Sequence, residues 1–122
     1  MLKQFEKQQY LNIETFRKNG QGVKTPVWFA QDGETLLIWT GAGSGKTKRI
    51  LRDSKVRIVP STASGEPVGE WVNAKAAVES SEDKVIYTET LFKNKYGFMF
   101  RFLSWLNKSR GRKYASIRVY FN

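Results

Sequence analysis

The sequence predicts a mainly β domain, a small closed or partly closed barrel of antiparallel strands interrupted by a few short helices. Three observations predict it. Runs rich in Val, Ile, Thr, Tyr, Phe and Trp recur along the chain with turn residues between them at hairpin spacing. Helical periodicity occurs only as an interruption. The regular strand–helix alternation that a parallel sheet requires is absent. With 122 residues, 40% apolar and 14% aromatic, the chain suits one domain spanning 1–122 with a core of its own.

Leu2, Phe5 and Gln9, with Lys and Glu between them, give a short helical opening, and Tyr10 to Phe16 then alternates as a strand does. Asn19-Gly20 precedes a strand over Val23 to Ala30, and Gln31-Asp32-Gly33-Glu34 precedes another over Thr35 to Thr40. Asp-Gly between β-rich runs is a strong hairpin signal, so this third of the chain reads as a meander. Ser44 is placed to cap a helix over Lys46 to Asp53, with Ile50 and Leu51 inward. Val56 to Val59 and Val68 to Val78 form a second hairpin around Ala63-Ser64-Gly65-Glu66-Pro67, with Ala74, Ala76 and Val78 on one face. The stretch Val85 to Phe92 is read as helix. Phe98, Phe102, Leu103 and Leu106 share a face of a second helix, which Ser109-Arg110-Gly111-Arg112 ends before a last strand, Tyr114 to Phe121.

The inventory of reactive groups is short. There is no histidine and no cysteine, which excludes a Ser-His-Asp triad, a thiol nucleophile, a Cys/His zinc site and any disulfide; no metal site is expected. Lys and Arg number 21 against 11 Asp and Glu, a formal charge of +10, which concentrates anions near the surface. The apolar runs, such as Leu36-Leu37-Ile38-Trp39, fall far short of the ~20 residues that span a bilayer, and Met1 to Glu6 has no apolar signal core. These features predict a cytoplasmic protein with no membrane partner.

Thr40-Gly41-Ala42-Gly43-Ser44-Gly45-Lys46-Thr47 follows an apolar strand and opens a helix, and its Gly-Lys-Thr end matches the phosphate-binding loop of nucleotide hydrolases. Thr40 stands where that motif asks for glycine. The loop also lacks a parallel sheet and a second apolar strand ending in Asp for Mg²⁺, so ATP hydrolysis is not expected. Glycine-freed amides, a helix N-terminus and the cations Lys46, Lys48 and Arg49 nevertheless make an anion cradle in any fold.

Taken in order, Lys24-Thr25-Pro26-Val27-Trp28, Leu37-Ile38-Trp39-Thr40, Ser44 to Ile50, Val56-Arg57-Ile58, Gly69-Glu70-Trp71-Val72 and a late Lys95-Tyr96-Gly97 resemble the pyridoxamine 5′-phosphate oxidase-like superfamily. The nearest branch is that of the small deazaflavin (F420)-dependent oxidoreductases. The resemblance implies a split β-barrel of the FMN-binding, antiparallel Greek-key type. It also implies a homodimer that holds F420 or FMN in an interface groove and transfers hydride to or from a small organic substrate. Carried over by position, Lys24 meets the cofactor phosphate, the backbone of Thr25, Pro26 and Val27 lies along the ring, and Trp39 and Thr40 end the next strand. Ser44, Gly45 and Lys46 complete the phosphate loop, with Arg49 beside them. Gly45 stands where pyridoxamine phosphate oxidases commonly carry arginine, and no pyridoxal-phosphate signature is recognisable at the C-terminus, so vitamin B6 oxidation is not expected.

A bound redox ring brings its own reactive centre, so a chain without His or Cys can still be an oxidoreductase. Trp28, Trp39 and Trp71 are candidates to wall a substrate pocket, although tryptophans in such positions are more often core or dimer-interface residues. Lys24, Lys46, Lys48 and Arg49 are expected to converge on one phosphate. Lys93, Lys95, Arg101, Lys108, Arg110, Arg112 and Lys113 read as a solvated basic helix and turn. Two other classes fit the same residues: a flavin or haem carrier without turnover, and a basic barrel that binds nucleic acid.

Overall fold

A computed structural model describes residues 2–109 and 113–121. After a single 3₁₀ turn, Leu2–Phe5, the elements are β1 Tyr10–Phe16, β2 Gly22–Trp28, β3 Ala30–Asp32, β4 Thr35–Gly41, α1 Gly45–Arg52, β5 Lys55–Ser61, β6 Val72–Glu79, α2 Glu82–Tyr96, α3 Phe98–Ser109 and β7 Tyr114–Tyr120. The strands form one sheet in the order β2-β1-β5-β6-β7-β4-β3, and every pairing is antiparallel. β2 and β3 are the opposite edges of this sheet, yet Phe29 alone separates them in the chain. A sheet whose two edges are one residue apart must curl on itself, so the architecture is a split barrel with its seam at Phe29.

Alternation builds the core. Leu11 and Ile13 of β1, Leu36 and Ile38 of β4, Val56 and Ile58 of β5, Ala74 and Ala76 of β6, and Ile117 and Val119 of β7 point inward at period two. Each fully buried aliphatic side chain contributes roughly 1.5–3 kcal/mol. Gly20 and Gly33 adopt φ of 87° and 59° in the β1–β2 and β3–β4 turns, which glycine enters without a steric cost.

The structure corrects the sequence reading at five places. The opening helix is one 3₁₀ turn, stopping well before Gln9. The run Val23 to Ala30 is broken at Phe29, where the chain passes from one sheet edge to the other, so β2 does not pair with β4 as a meander requires. Leu51 is 70% exposed because Thr47 and Ile50, three residues apart, already form the buried face of α1. The second hairpin's long arm begins at Val72, not Val68. The side-chain amide of Gln4 accepts from Glu70 N and donates to Glu70 O at 2.9 and 2.8 Å, taking the backbone groups a strand neighbour would use.

Finally, α3 buries Phe100 and Ser104 and turns Phe98, Phe102 and Leu103 toward solvent. The predicted turn at Arg110-Gly111-Arg112 lies outside the described residues.

α2 packs over β3, β4 and β7 through a polar network. Arg118 on β7 donates to Asp32 Oδ2 and Thr35 Oγ1 at 3.0 and 2.7 Å and to Glu79 at 3.2 Å. Tyr87 on α2 donates to Asp32 Oδ1 at 2.7 Å, and that hydrogen bond is the largest influence holding the Asp32 carboxyl below its usual range. Buried Thr88 shares a 2.7 Å hydrogen bond with Ser116 of β7.

Candidate functional site

The seam of the barrel opens into a groove of about 340 Å³, within the range of small-molecule sites. One wall is the end of β2, with Pro26, Val27 and Trp28; the other is the end of β4, with Trp39, Thr40 and Gly41. Phe92 of α2, Phe100 and Leu103 of α3, Tyr10 and Tyr114 complete it.

Two aromatic stacks brace these walls. Trp28 lies flat on Tyr96 with ring centres 4.2 Å apart and planes 7° apart, and Trp39 lies on Tyr114 at 4.0 Å and 12°. Phe100 meets Trp39 edge-on at 5.0 Å. Trp39 Nε1 donates to the buried carboxylate of Glu89 at 3.2 Å, which fixes the indole against rotation. The groove is thus a pre-shaped slot with flat aromatic sides.

Beyond Thr40 the chain makes the tight turn that opens α1. Ser44 Oγ caps the helix by accepting from Thr47 N at 3.2 Å. The hydroxyls of Thr40, Ser44 and Thr47 form a chain at 3.4 and 3.0 Å that ends on Gly41 O. The amides of Gly45 and Lys46, in the first turn, have no acceptor within the helix, and its dipole favours an anion there. Burial first, and the charge of Arg49 second, hold the Lys46 ammonium below the ordinary lysine value. Burial and then Arg17 act on Arg49 in the same direction. Both are cations whose charge would be relieved by an anion.

Gly45 has a specific spatial role. A Cβ there would stand 2.8 Å from Nη1 of Arg49. The Arg49 guanidinium, anchored by a 2.6 Å hydrogen bond from Nε to Thr15 Oγ1, therefore occupies the place that a side chain at position 45 would take.

The sequence-predicted residues divide into three groups. Pro26, Val27, Trp28, Trp39 and Thr40 share the groove, and Ser44, Gly45 and Lys46 open the helix that follows its β4 wall. Lys48 and Arg49 instead line a separate surface concavity with Arg17, Lys18, Gly45 and Arg52. Lys24 is two residues before Pro26 on the same strand face, about 7 Å along β2, and is exposed. Its ammonium stands 5.2 Å from the ring centre of Trp71, which Arg57 also meets at 5.0 Å; Arg57 in turn pairs with Glu14 at 2.9 Å. Trp71 therefore belongs to a cation cluster outside the groove, and Thr25 does not line the groove either. The groove residues that sequence reasoning missed, Tyr10, Phe92, Phe100, Leu103 and Tyr114, come from distant elements and carried no local signal.

The comparisons with known proteins agree with the split-barrel fold. The family model for pyridoxamine 5′-phosphate oxidase matches residues 1–118, and the chain belongs to that family. No curated protein sequence matches it. Among solved structures, the chain is similar to HutZ, described as a heme storage protein, from Vibrio cholerae. The TM-score is 0.72 at 13% identity, over 96% of this chain and 84% of that one. It is also similar to an F420 reductase, with TM-score 0.63 and 16% identity over 98% and 90% of the two chains. A third is General Stress Protein 26 from Bacillus anthracis, with TM-score 0.62 and 18% identity over 96% and 82%. At these identities the likeness shows the fold.

Proposed function

We propose that the chain is an oxidoreductase that binds F420 or FMN in the seam groove, as a homodimer, and transfers hydride to or from a small organic substrate. The observation that carries this reading is the juxtaposition of a flat, aromatic-walled slot with a helix N-terminus whose second residue, Lys46, carries a desolvated ammonium. A planar ring with a phosphate-bearing tail matches that pair of features. The bound ring supplies the hydride chemistry.

The chain's own residues do the rest. The backbone of Pro26 and Val27 and the indoles of Trp28 and Trp39 orient the ring and exclude water. The hydroxyls of Thr40 and Ser44, the amides of Gly45 and Lys46, and the Lys46 ammonium bind the phosphate. Arg49 faces the neighbouring concavity but its guanidinium lies over Gly45, so it is the side chain placed to supply the cation that pyridoxamine phosphate oxidases carry at that position. Lys24 can swing from Trp71 toward the same end of β2, since its ammonium makes only a surface cation–π contact. The antiparallel sheet around the Gly-Lys-Thr loop leaves no parallel strand for a nucleotide-hydrolase site.

The test is a titration of each cofactor by quenching of tryptophan fluorescence, with native mass spectrometry reporting cofactor mass and oligomer. One saturable site per subunit is expected. Lys46→Ala should weaken binding by about 1.5–3 kcal/mol, or about 10- to 150-fold. Absence of saturable binding of either cofactor below about 1 mM overturns the proposal, and unchanged affinity in Lys46→Ala removes the loop assignment.

A further inference from the structure

Outside the seam groove, cations gather around α1. Gly45, Lys48, Arg49 and Arg52 follow one another at intervals of three, one and three, which places them on one face of the helix. With Arg17 and Lys18 of the β1–β2 turn they line a concavity of about 390 Å³. A second concavity, of about 550 Å³, begins at the next residue of the chain and lies between Lys55 of β5 and Lys75 of β6. Phe16 joins the two. Its carbonyl accepts from Arg52 Nη2, its ring centre stands 5.9 Å from the Lys55 ammonium, and Arg17 is its neighbour in the chain.

This arc repels itself. Lys48 and Arg52 stand four residues apart, a spacing at which like charges on a helix are unfavourable. Lys55 is the direct cross-strand partner of Lys75, where like charges are unfavourable too. Arg17, Lys18, Lys48, Arg52, Lys55 and Lys75 are all exposed, and none pairs with a carboxylate among the described residues. Asp53 is the one acid lining either concavity, and its Oδ1 accepts from the Lys55 amide. An external polyanion would offset the repulsion. A lone phosphate could meet two or three of these cations, not six spread over a turn, a helix and two strands. A flat lipid surface would rest on the rims of the concavities. Single strands bind largely by stacking their bases on aromatic rings, and no aromatic residue lines either concavity. A nucleic-acid duplex is a convex rod with one negative charge per about 1.7 Å of axis, which matches the arc in shape and in charge and asks for no ring.

We propose that the arc around α1 binds the phosphate backbone of a nucleic-acid duplex without regard to sequence, with Arg17, Lys18, Lys48, Arg52, Lys55 and Lys75 on the phosphates. None of the six lines the seam groove, so this function stands beside the cofactor reading and is independent of it.

The full chain is titrated into a fluorescein-labelled DNA duplex of mixed sequence, with anisotropy read at several salt concentrations. Six phosphate contacts predict a slope of log affinity against log salt of about −5, and a loss of about 10³-fold between about 50 and 200 mM salt. The triple variant Arg17→Gln, Lys18→Gln, Lys55→Gln should halve that slope, with an unchanged circular dichroism spectrum and melting temperature. Should it not fold, Lys48→Gln with Lys75→Gln is read in its place and should lower the slope by about two. Removing the same charge elsewhere, in Lys3→Gln, Lys7→Gln, Lys93→Gln, should leave the slope as it is. Absence of duplex binding at the lowest salt, an unchanged slope in the triple variant, or an equal fall in the control variant overturns the proposal. So does tighter binding of a single strand of the same length, or retention on phosphatidylglycerol vesicles in preference to the duplex.

Discussion

Phe29 is where the barrel closes, and its backbone has lost the neighbours a strand would give it. Tyr96 replaces them. Its hydroxyl accepts from Phe29 N at 3.1 Å and lies 2.6 Å from Gln9 O and 2.8 Å from Phe29 O, either of which takes its proton. Tyr96→Phe removes the oxygen and keeps the ring, so the stack on Trp28 survives. The Phe29 amide, on a residue only 1% exposed, is then left without its acceptor, at a cost of about 1–3 kcal/mol. Gln9 is exposed, so water takes up its carbonyl and little more is lost there. Lys95 still donates to Phe29 O at 2.7 Å. The sum is a destabilisation of about 1.5–3 kcal/mol and a melting temperature lower by about 4 °C per kcal/mol. Urea denaturation followed by tryptophan fluorescence reads the first, and a thermal melt the second. Tyr96→Leu removes the stack as well and should cost about 0.5–1.5 kcal/mol more. A loss under about 0.5 kcal/mol for Tyr96→Phe would refute the clamp, because it would mean that the Phe29 amide has another acceptor.

Lys95, whose ammonium lies 3.6 Å above the Phe29 ring, is pushed down by burial to about 8. Its folded value lies below the ordinary value of about 10.4, so the folded state holds fewer protons than the unfolded one between those limits. Stability should therefore rise with pH from about 8 to about 10.4; urea midpoints across that range should climb in the wild type relative to Lys95→Met, and parallel curves would contradict it. Gly45→Ala forces the Arg49 guanidinium off its position. Because the obstacle is the end of a flexible side chain, stability should fall by less than about 1 kcal/mol while cofactor affinity drops, and unchanged affinity would separate Arg49 from the phosphate. Ile117→Ala, at a fully buried position of β7, should cost about 2–5 kcal/mol, and a loss under about 1 kcal/mol would show that the curled sheet is not packed around it.

How much was legible in the sequence depended on how local the cause was. β1, α1 and β7 follow from alternation or from a capping serine, and their bounds lie within a residue of expectation. The identity of the family was legible because ordered short segments carry it even where each is weak. The seam was not legible. Nothing within Val23 to Ala30 says that Phe29 leaves one edge of a sheet for the other, since the cause is the position of Tyr96 and Lys95 almost seventy residues on. Period 3.6 likewise identifies an apolar face on α3 without saying whether protein covers it. The four cations assigned to one phosphate were separated by tertiary contacts: Trp71 takes Lys24, and α1 presents Lys48 away from the groove.

The late Lys95-Tyr96-Gly97 segment, in sequence only one marker among several, has a physical reason in the fold. Gly97 takes φ 63° at the junction of α2 and α3, a left-handed turn that ends the first helix with its last two side chains against the seam. Tyr96 then acts twice. Its hydroxyl fixes the backbone of Phe29, and its ring supports Trp28, which is a wall of the groove. Closure of the barrel and the shape of the candidate cofactor slot therefore depend on the same side chain. A ligand that binds only the closed groove stabilises the seam by mass action, and anything that loosens the seam lowers the fraction of chains able to bind. A protein with no histidine or cysteine has few ways to shape a site by its own reactive groups. This one does so by stacking aromatic rings along the two walls of the seam groove.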